Sequence, residues 1–338
     1  MIWFDCTKAA KTGHHSGLQR VSVRLRAELS QAASEVAGLE WASNAKRDDW
    51  FLTAEVFSPN ERPGWDALLE KRPCRLAAIF HDAIPMKHPQ ITWPQSVARH
   101  PAYLKMLSRF DLVLAVSEAS RCELIGYWSW LGLANTPRVE VITLGADFDG
   151  GSRVTNPHRE SDPLLLCVGI LEPRKNQSFL LDVCETLWNE GHQFDLHLVG
   201  RVNPHFGPPL EHRINHLQRQ RSGLHYHSAL DDAGLGKLYA RARVAVFPTI
   251  AEGCGLPVLE SLGRGVPCLC SDIAPIRENA AGGGAMLLPV NDAPAWKRAI
   301  LACLQSDAEF RRLATEATTR SLPTWRETAD AVRALLSR

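Results

Sequence analysis

Short apolar runs alternate with segments of helical periodicity, and that alternation passes along the chain twice. In the first pass, Ile2–Asp5, Arg75–Phe80, Leu112–Ala115 and 139–143 read as strands. A helix over 17–31 fits between the first two, with Leu18, Val21, Leu25 and Leu29 along one face. A stretch rich in Gly, Asn, Pro and charge then runs from Asp149 to Pro163 and reads as a domain boundary. The pattern restarts with strands at Leu164–Val168, 194–199, Val244–Phe247 and 267–270, and Leu180, Val183, Cys184 and Leu187 follow the first at helical spacing. The segment 296–338 reads as helix interrupted at Pro323. Apolar strands separated by helices predict parallel sheets, so the fold class is α/β, with two doubly wound domains facing a cleft. The domains are 1–150 and 151–322, with 323–338 a C-terminal helix packing back on the first. Ligands of such sheets sit at the carboxyl ends of the strands.

Of the 338 residues, 45% are hydrophobic and 22% charged, the composition of a globular chain. Lys and Arg number 38 against 37 Asp and Glu, so neither half offers the basic footprint that nucleic acid needs. A nucleotide ligand is compatible with this balance, because a few placed cations hold it. The nine cysteines contain no CxxC pair and read as reduced thiols of a cytoplasmic protein, not a disulfide framework or zinc site. Cys268 and Cys270, one residue apart, are read as facing opposite sides of their strand. Met1 leads straight into the strand-like Ile2-Trp3-Phe4, without a signal peptide, and no run approaches the ~18 apolar residues of a spanning helix. Peripheral membrane contact stays compatible with this reading, and the oligomeric state is not legible.

The chemistry concentrates at Glu252-Gly253-Cys254-Gly255-Leu256-Pro257, which follows the strand at Val244–Phe247, with Glu260 further on. Pro257 marks the first turn of a helix, and the glycines let backbone N–H groups approach an anion at its positive end. Glu252 and Glu260 flank such an anion and suit sugar hydroxyls, so the ligand reads as a sugar phosphate. Arg174 and Lys175, at the end of the strand Leu164–Val168, suit neutralisation of a diphosphate. His81 and Asp82 follow Arg75–Phe80 and face the cleft. Gly13-His14-His15-Ser16-Gly17 is a loop feeding the first helix. The histidines in it have no metal-ligand partner at useful spacing. Asp147-Phe148-Asp149 matches a metal-holding D-x-D but reads as a hinge, and the basic run from Arg213 to Arg221 as a solvated helix face. Gly253-Cys254-Gly255 is not a dinucleotide fingerprint, since Val258 stands where the third glycine belongs.

These segments resemble the retaining glycosyltransferases of family four, which have two Rossmann-like domains in the GT-B arrangement. Glu252 and Glu260 match that family's E-x7-E pair, Gly169–Asn176 its G-x-x-E-P-R-K-N segment, and Val116–Ser120 its V-S-x-x-S segment. Val141–Asp147 resembles V-I-x-x-G-V-D, and His81-Asp82 its H-D after a strand. Ile170 departs from the arginine many members carry there, and Cys254 from the usual aromatic.

The resemblance implies transfer of a hexose, with mannose the first guess, from a nucleoside diphosphate sugar to a glycan or glycolipid acceptor. It implies retention at the anomeric carbon, no cofactor, no metal, and a place in surface polysaccharide assembly at the inner face of the membrane. By resemblance, Arg174 and Lys175 stabilise the leaving diphosphate with the Gly253–Leu256 backbone, and His81 contacts the donor sugar. Glu252 positions sugar hydroxyls and Glu260 the ribose, while Gly17 and Asp82 lie beside the donor. The alternatives are a nucleotide-sugar epimerase or hydrolase on this fold, and an inactive sugar-nucleotide-binding protein.

Overall fold

The structure is a computed structural model and describes residues 1–8, 17–147, 163–305 and 307–338. His14, His15 and Asp149, singled out above, lie outside the described residues. Two compact units emerge, Met1–Gly145 with Pro323–Arg338, and Ala146–Leu322. The division therefore falls at Gly145, ahead of the Asp149–Pro163 composition shift.

In the first unit β1 (Ile2–Asp5), β2 (Ala33–Val36), β3 (Trp50–Thr53), β4 (Arg75–Phe80), β5 (Leu112–Ala115) and β6 (Arg138–Val141) pair in parallel. Their order is β2-β1-β3-β4-β5-β6. Helices α1 (Gly17–Leu29), α2 (Trp65–Lys71), α3 (Ile84–Lys87), α4 (Pro94–Leu107) and α5 (Glu118–Trp130) lie between them in sequence. Val21, Leu25 and Leu29 of α1 are buried, but Leu18 is exposed, so the inward stripe starts one turn later than the spacing predicts.

The second unit contains β7 (Leu164–Val168), β8 (Asp195–Val199), β9 (Leu224–His227), β10 (Val244–Phe247), β11 (Cys268–Ser271) and β12 (Ala285–Leu288). All pair in parallel, in the order β12-β11-β10-β7-β8-β9. The connecting helices are α6 (Gln177–Asn189), α7 (Pro208–Gln218), α8 (Asp232–Arg241), α9 (Leu256–Gly263) and α10 (Ala274–Ala280), then α11 (Ala293–Gln305) and α12 (Asp307–Thr319). Alternate strand residues feed two cores. Leu196 and Leu198 of β8 join α6, α7 and α11, whereas Val199 joins α8, α9 and α10. Cys268 and Cys270 both enter the second core. They share a face, as residues two apart on a strand must, which corrects the reading that opposed them. All nine cysteines are free thiols, and only Cys122 is exposed. Among the described residues no helix is long and apolar enough to cross a membrane.

The last helix, α13 (Trp325–Leu336), belongs to the first unit. Its start is a capping box between Thr324 and Glu327, and Trp325, Ala329, Val332 and Leu336 are buried. Thr328 Oγ1 donates to the Thr143 carbonyl at 2.8 Å, and Arg333 reaches the Glu28 carbonyl on α1. Gly145 permits this docking, because a Cβ there would lie 2.3 Å from the Trp325 nitrogen.

Candidate active site

The order of the second sheet reverses direction between β7 and β10, since β8 and β9 continue to one side of β7 and β11 and β12 to the other side of β10. The carboxyl ends of strands at such a switch point leave room for a ligand. Both cation-bearing and glycine-bearing segments of the sequence emerge here. After β7 the chain makes a short 3-10 turn at Pro173–Lys175 and enters α6 through Asn176, whose φ of 59° is left-handed. Asn176 Nδ2 donates to the Pro248 carbonyl at 3.0 Å, which ties this turn to the one following β10. After β10, the chain passes Glu252 and reaches Gly255, which precedes α9 with φ 81°. A Cβ at Gly255 would lie 2.3 Å from Ile276 Cδ1, so both conformation and space call for glycine.

Glu252 is the centre of the charged group. Its Oε1 accepts from Lys175 Nζ at 2.6 Å and from Thr249 Oγ1 at 2.8 Å, and its Oε2 from Arg174 Nη1 at 3.0 Å. Arg174 also donates to the Ala251 carbonyl at 3.0 Å and from Nε to Glu172 Oε1 at 3.0 Å. Asn203 Nδ2 holds the other Glu172 oxygen at 3.1 Å. Burial pushes the Glu252 carboxyl up, but the charges of Lys175 and Arg174, with hydrogen bonds from Lys175 and Thr249, outweigh it. The group is held at about 2 and is ionised at neutral pH. A largely buried carboxylate thus fixes both cations and offsets part of their charge. An incoming diphosphate would meet cations already ordered in place.

A hollow lined by Lys175, Thr249, Glu252, Gly255, Pro257 and Ile276 lies where β7 and β10 end and α9 begins. The positive pole of α9 adds to the field there. Gly253, Cys254 and Leu256 belong to this turn, and Asn279 Nδ2 braces it by donating to the Cys254 carbonyl at 2.5 Å. Cys254 is buried with its thiol pushed up to about 12 by burial, so it is no nucleophile. Glu260 is buried on α9. Thr249, Glu172, Asn203, Asn176 and Asn279 are the supports that sequence reasoning did not assign to the site. Glu172 and Asn176 carried a sequence signal, as the first and last residues of the Glu-Pro-Arg-Lys-Asn segment.

His81, Asp82 and Gly17 belong to the first unit. His81 follows β4 and is buried, not open to solvent, with Nε2 2.9 Å from the Ala54 carbonyl after β3. A carbonyl only accepts, so Nε2 carries the proton and Nδ1 is the acceptor nitrogen. Burial lowers the imidazole pKa, which keeps the ring neutral. The backbone is fixed as well. Ser117 caps α5 by accepting from the Ser120 nitrogen at 3.0 Å, and Ser120 Oγ donates to the His81 carbonyl at 2.8 Å. Asp82 Oδ1 accepts from the Ile84 nitrogen at 3.0 Å, and its carbonyl faces His100 Nε2 at 3.0 Å. Gly17 is exposed and opens α1.

Fold and site together define a two-unit, Rossmann-like α/β protein with two cations and a helix N-terminus at the sheet switch point of its second unit. Residues 162–306 match the family described as glycosyl transferases group 1. The serotype-specific mannosyltransferase WbdA of Escherichia coli is 29% identical over 217 residues, 60% of this chain and 26% of that protein. The chain therefore spans about a quarter of the length of that relative. The O-antigen chain mannosyltransferase B of Escherichia coli is 29% identical over 255 residues, covering 71% of this chain and 64% of the relative. Among solved structures, Anabaena HepE in complex with UDP superposes with a TM-score of 0.70 at 15% identity over 99% of both chains. The trehalose 6-phosphate synthase of Burkholderia multivorans gives 0.69 at 15% identity, over 96% of this chain and 76% of the other.

Proposed function

We propose that this chain is a retaining hexosyltransferase that moves a sugar, mannose first, from a nucleoside diphosphate donor to a glycan or glycolipid acceptor. The observation that carries the reading is the clamp of Arg174 and Lys175 by Glu252 at the β7–β10 switch point, beside the positive end of α9. As the anomeric bond breaks, charge gathers on the leaving diphosphate. Preordered cations and backbone N–H groups stabilise that charge without reorganising, which is where electrostatic catalysis is strongest. Lys175 and Arg174 take this role with Gly253–Leu256, Glu260 holds the ribose, and His81 with Asp82 contacts the donor sugar. The cations are supplied by the chain, so turnover is independent of added metal. The mannosyltransferase relatives, two of them named for O-antigen chains, support mannose and a surface polysaccharide.

The test is product formation from GDP-, UDP-, dTDP- and ADP-sugars with and without glycan acceptors, the anomeric configuration being read by NMR. An acceptor-dependent product with the donor's configuration supports the reading. Inversion, donor hydrolysis that ignores acceptor, or no turnover with any donor overturns it.

A further inference from the structure

Parallel strands covered by helices are usually apolar on both faces. One face of β8 and β9 departs from this. Asp195 and His197 lie two apart on β8, and His225 and His227 two apart on β9, so each pair shares a side. The strands pair with His197 opposite His225 and Val199 opposite His227, which gathers all four polar residues on the face where Val199 joins the α8 core. The residues that alternate with them, Leu196, Leu198, Leu224 and Tyr226, turn to the other core. The imidazoles are close: the His197 ring centroid is 4.4 Å from that of His225 and 5.2 Å from that of His227. His225 Nε2 lies 3.6 Å from Asp195 Oδ1, and His197 Nδ1 lies 3.0 Å from His227 Nε2. Asp195, His197 and His225 each place one donor atom within 4.8 Å of the others.

We propose that Asp195, His197 and His225 bind one divalent cation of the zinc class, with His227 holding His197 from behind. Two imidazoles and a carboxylate, with no thiolate, suit zinc, cobalt and nickel. A proton on His197 Nδ1, donated to His227 Nε2, leaves the other nitrogen bare for the metal. Such an outer partner fixes the tautomer of a ligating histidine. Bonds of about 2.0–2.1 Å set tetrahedral donors about 3.4 Å apart, so the group must close slightly. That closure falls to Asp195 and His225, whose side chains are 39% exposed, while His197 is almost wholly buried. The nearby charge of Arg241 opposes a cation, and the Asp195 carboxylate offsets it. The ion would staple edge strand β9 to β8, and it shares no ligand with the Arg174–Glu252 group.

The test uses the tag-free chain, stripped with chelator and titrated with cobalt(II) and zinc(II). Wild type should bind one equivalent, cobalt giving the visible absorption of a tetrahedral site and zinc raising the melting temperature. His225→Ala and Asp195→Asn, both at half-exposed positions, should each abolish saturable binding while melting like the metal-free wild type. His227→Gln should bind about 10–100-fold more weakly, the effect of losing an outer partner. Absence of saturable binding by wild type, or affinity unchanged in both His225→Ala and Asp195→Asn, overturns the proposal. Should His225→Ala unfold, Asp195→Asn decides it.

Discussion

Glu252 links the proposed chemistry to the structure that holds it. Removing its charge takes away the carboxylate that Lys175 pairs with in a largely buried place, while Arg174 keeps Glu172. Breaking a buried ion pair by deleting one partner costs about 3–5 kcal/mol. Glu252→Gln should therefore lower the melting temperature as well as turnover, whereas a solvated carboxylate would shift stability by about 0.5 kcal/mol at most. Lys175→Ala leaves Glu252 paired with Arg174, so its main loss should be in turnover, by about 2–4 kcal/mol of transition-state stabilisation. Wild-type turnover from a folded Lys175→Ala chain would remove the diphosphate assignment. The same carboxylate sets an acid response. Its carboxyl sits at about 2 in the fold against an ordinary 4.5. Between those values the unfolded chain binds the extra proton. Its contribution is thus complete above pH 4.5 and is lost as pH falls towards 2. Urea unfolding at stepped pH should show a steeper acid loss in wild type than in Glu252→Gln, and equal slopes would rule out this carboxylate as the cause.

At the scale of elements, the first sheet also has a switch point, between β1 and β3, and it is filled by charge. Arg62 Nη1 meets Asp5 Oδ2 at 2.7 Å and Nη2 meets Glu55 Oε2 at 2.5 Å, with all three side chains buried. Thr53 Oγ1 also donates to Asp5 at 2.7 Å, so the ends of β1 and β3 are joined through one guanidinium. Arg62→Ala should destabilise the first unit by about 3–5 kcal/mol, since it removes the cation shared by two buried carboxylates. Denaturant midpoints measure this, and a change below about 1 kcal/mol would mean that the network is solvated. The last helix gives the second element-scale case. Gly145→Val places side-chain atoms where the Trp325 backbone sits, so it should detach α13 and expose Trp325 to solvent. A red-shifted tryptophan emission with the second unit still folded is the expected result. An unchanged spectrum would show that the contact yields without cost.

For the whole molecule, the testable property is how nucleotide binding couples to stability. A ligand at 100 times its dissociation constant stabilises the state that binds it by about 2.7 kcal/mol. A thermal-shift panel of GDP, UDP, dTDP and ADP should single out one base. That shift should survive EDTA if, as proposed, Arg174, Lys175 and the α9 terminus meet the diphosphate. A shift abolished by chelation and restored by magnesium would overturn the metal-independent reading of this site. The cation proposed at Asp195, His197 and His225 is judged separately, by its own stoichiometry.

Local chemistry was legible in the chain because short-range rules govern it. Buried interior strands such as β4, β5, β7 and β10 stand out as apolar runs, and the Gly255-Leu256-Pro257 start of α9 follows from the conformations of glycine and proline. Three of the strands that sequence reading left unassigned, β2, β9 and β12, lie at sheet edges. There, one side has no strand to bury against, and Ala33–Val36 and Leu224–His227 lack a continuous apolar run. The sequence also brought forward Glu252, Arg174 and Lys175 as candidate site residues. It could not show that Glu252 would hold both cations, because 77 and 78 residues separate the partners. That pairing depends on the crossover that sets β10 beside β7. The gathering of Asp195, His197 and His225 depends likewise on parallel register between β8 and β9. Non-local pairing and register are set by how apolar faces close over each other, and only the tertiary structure decides that.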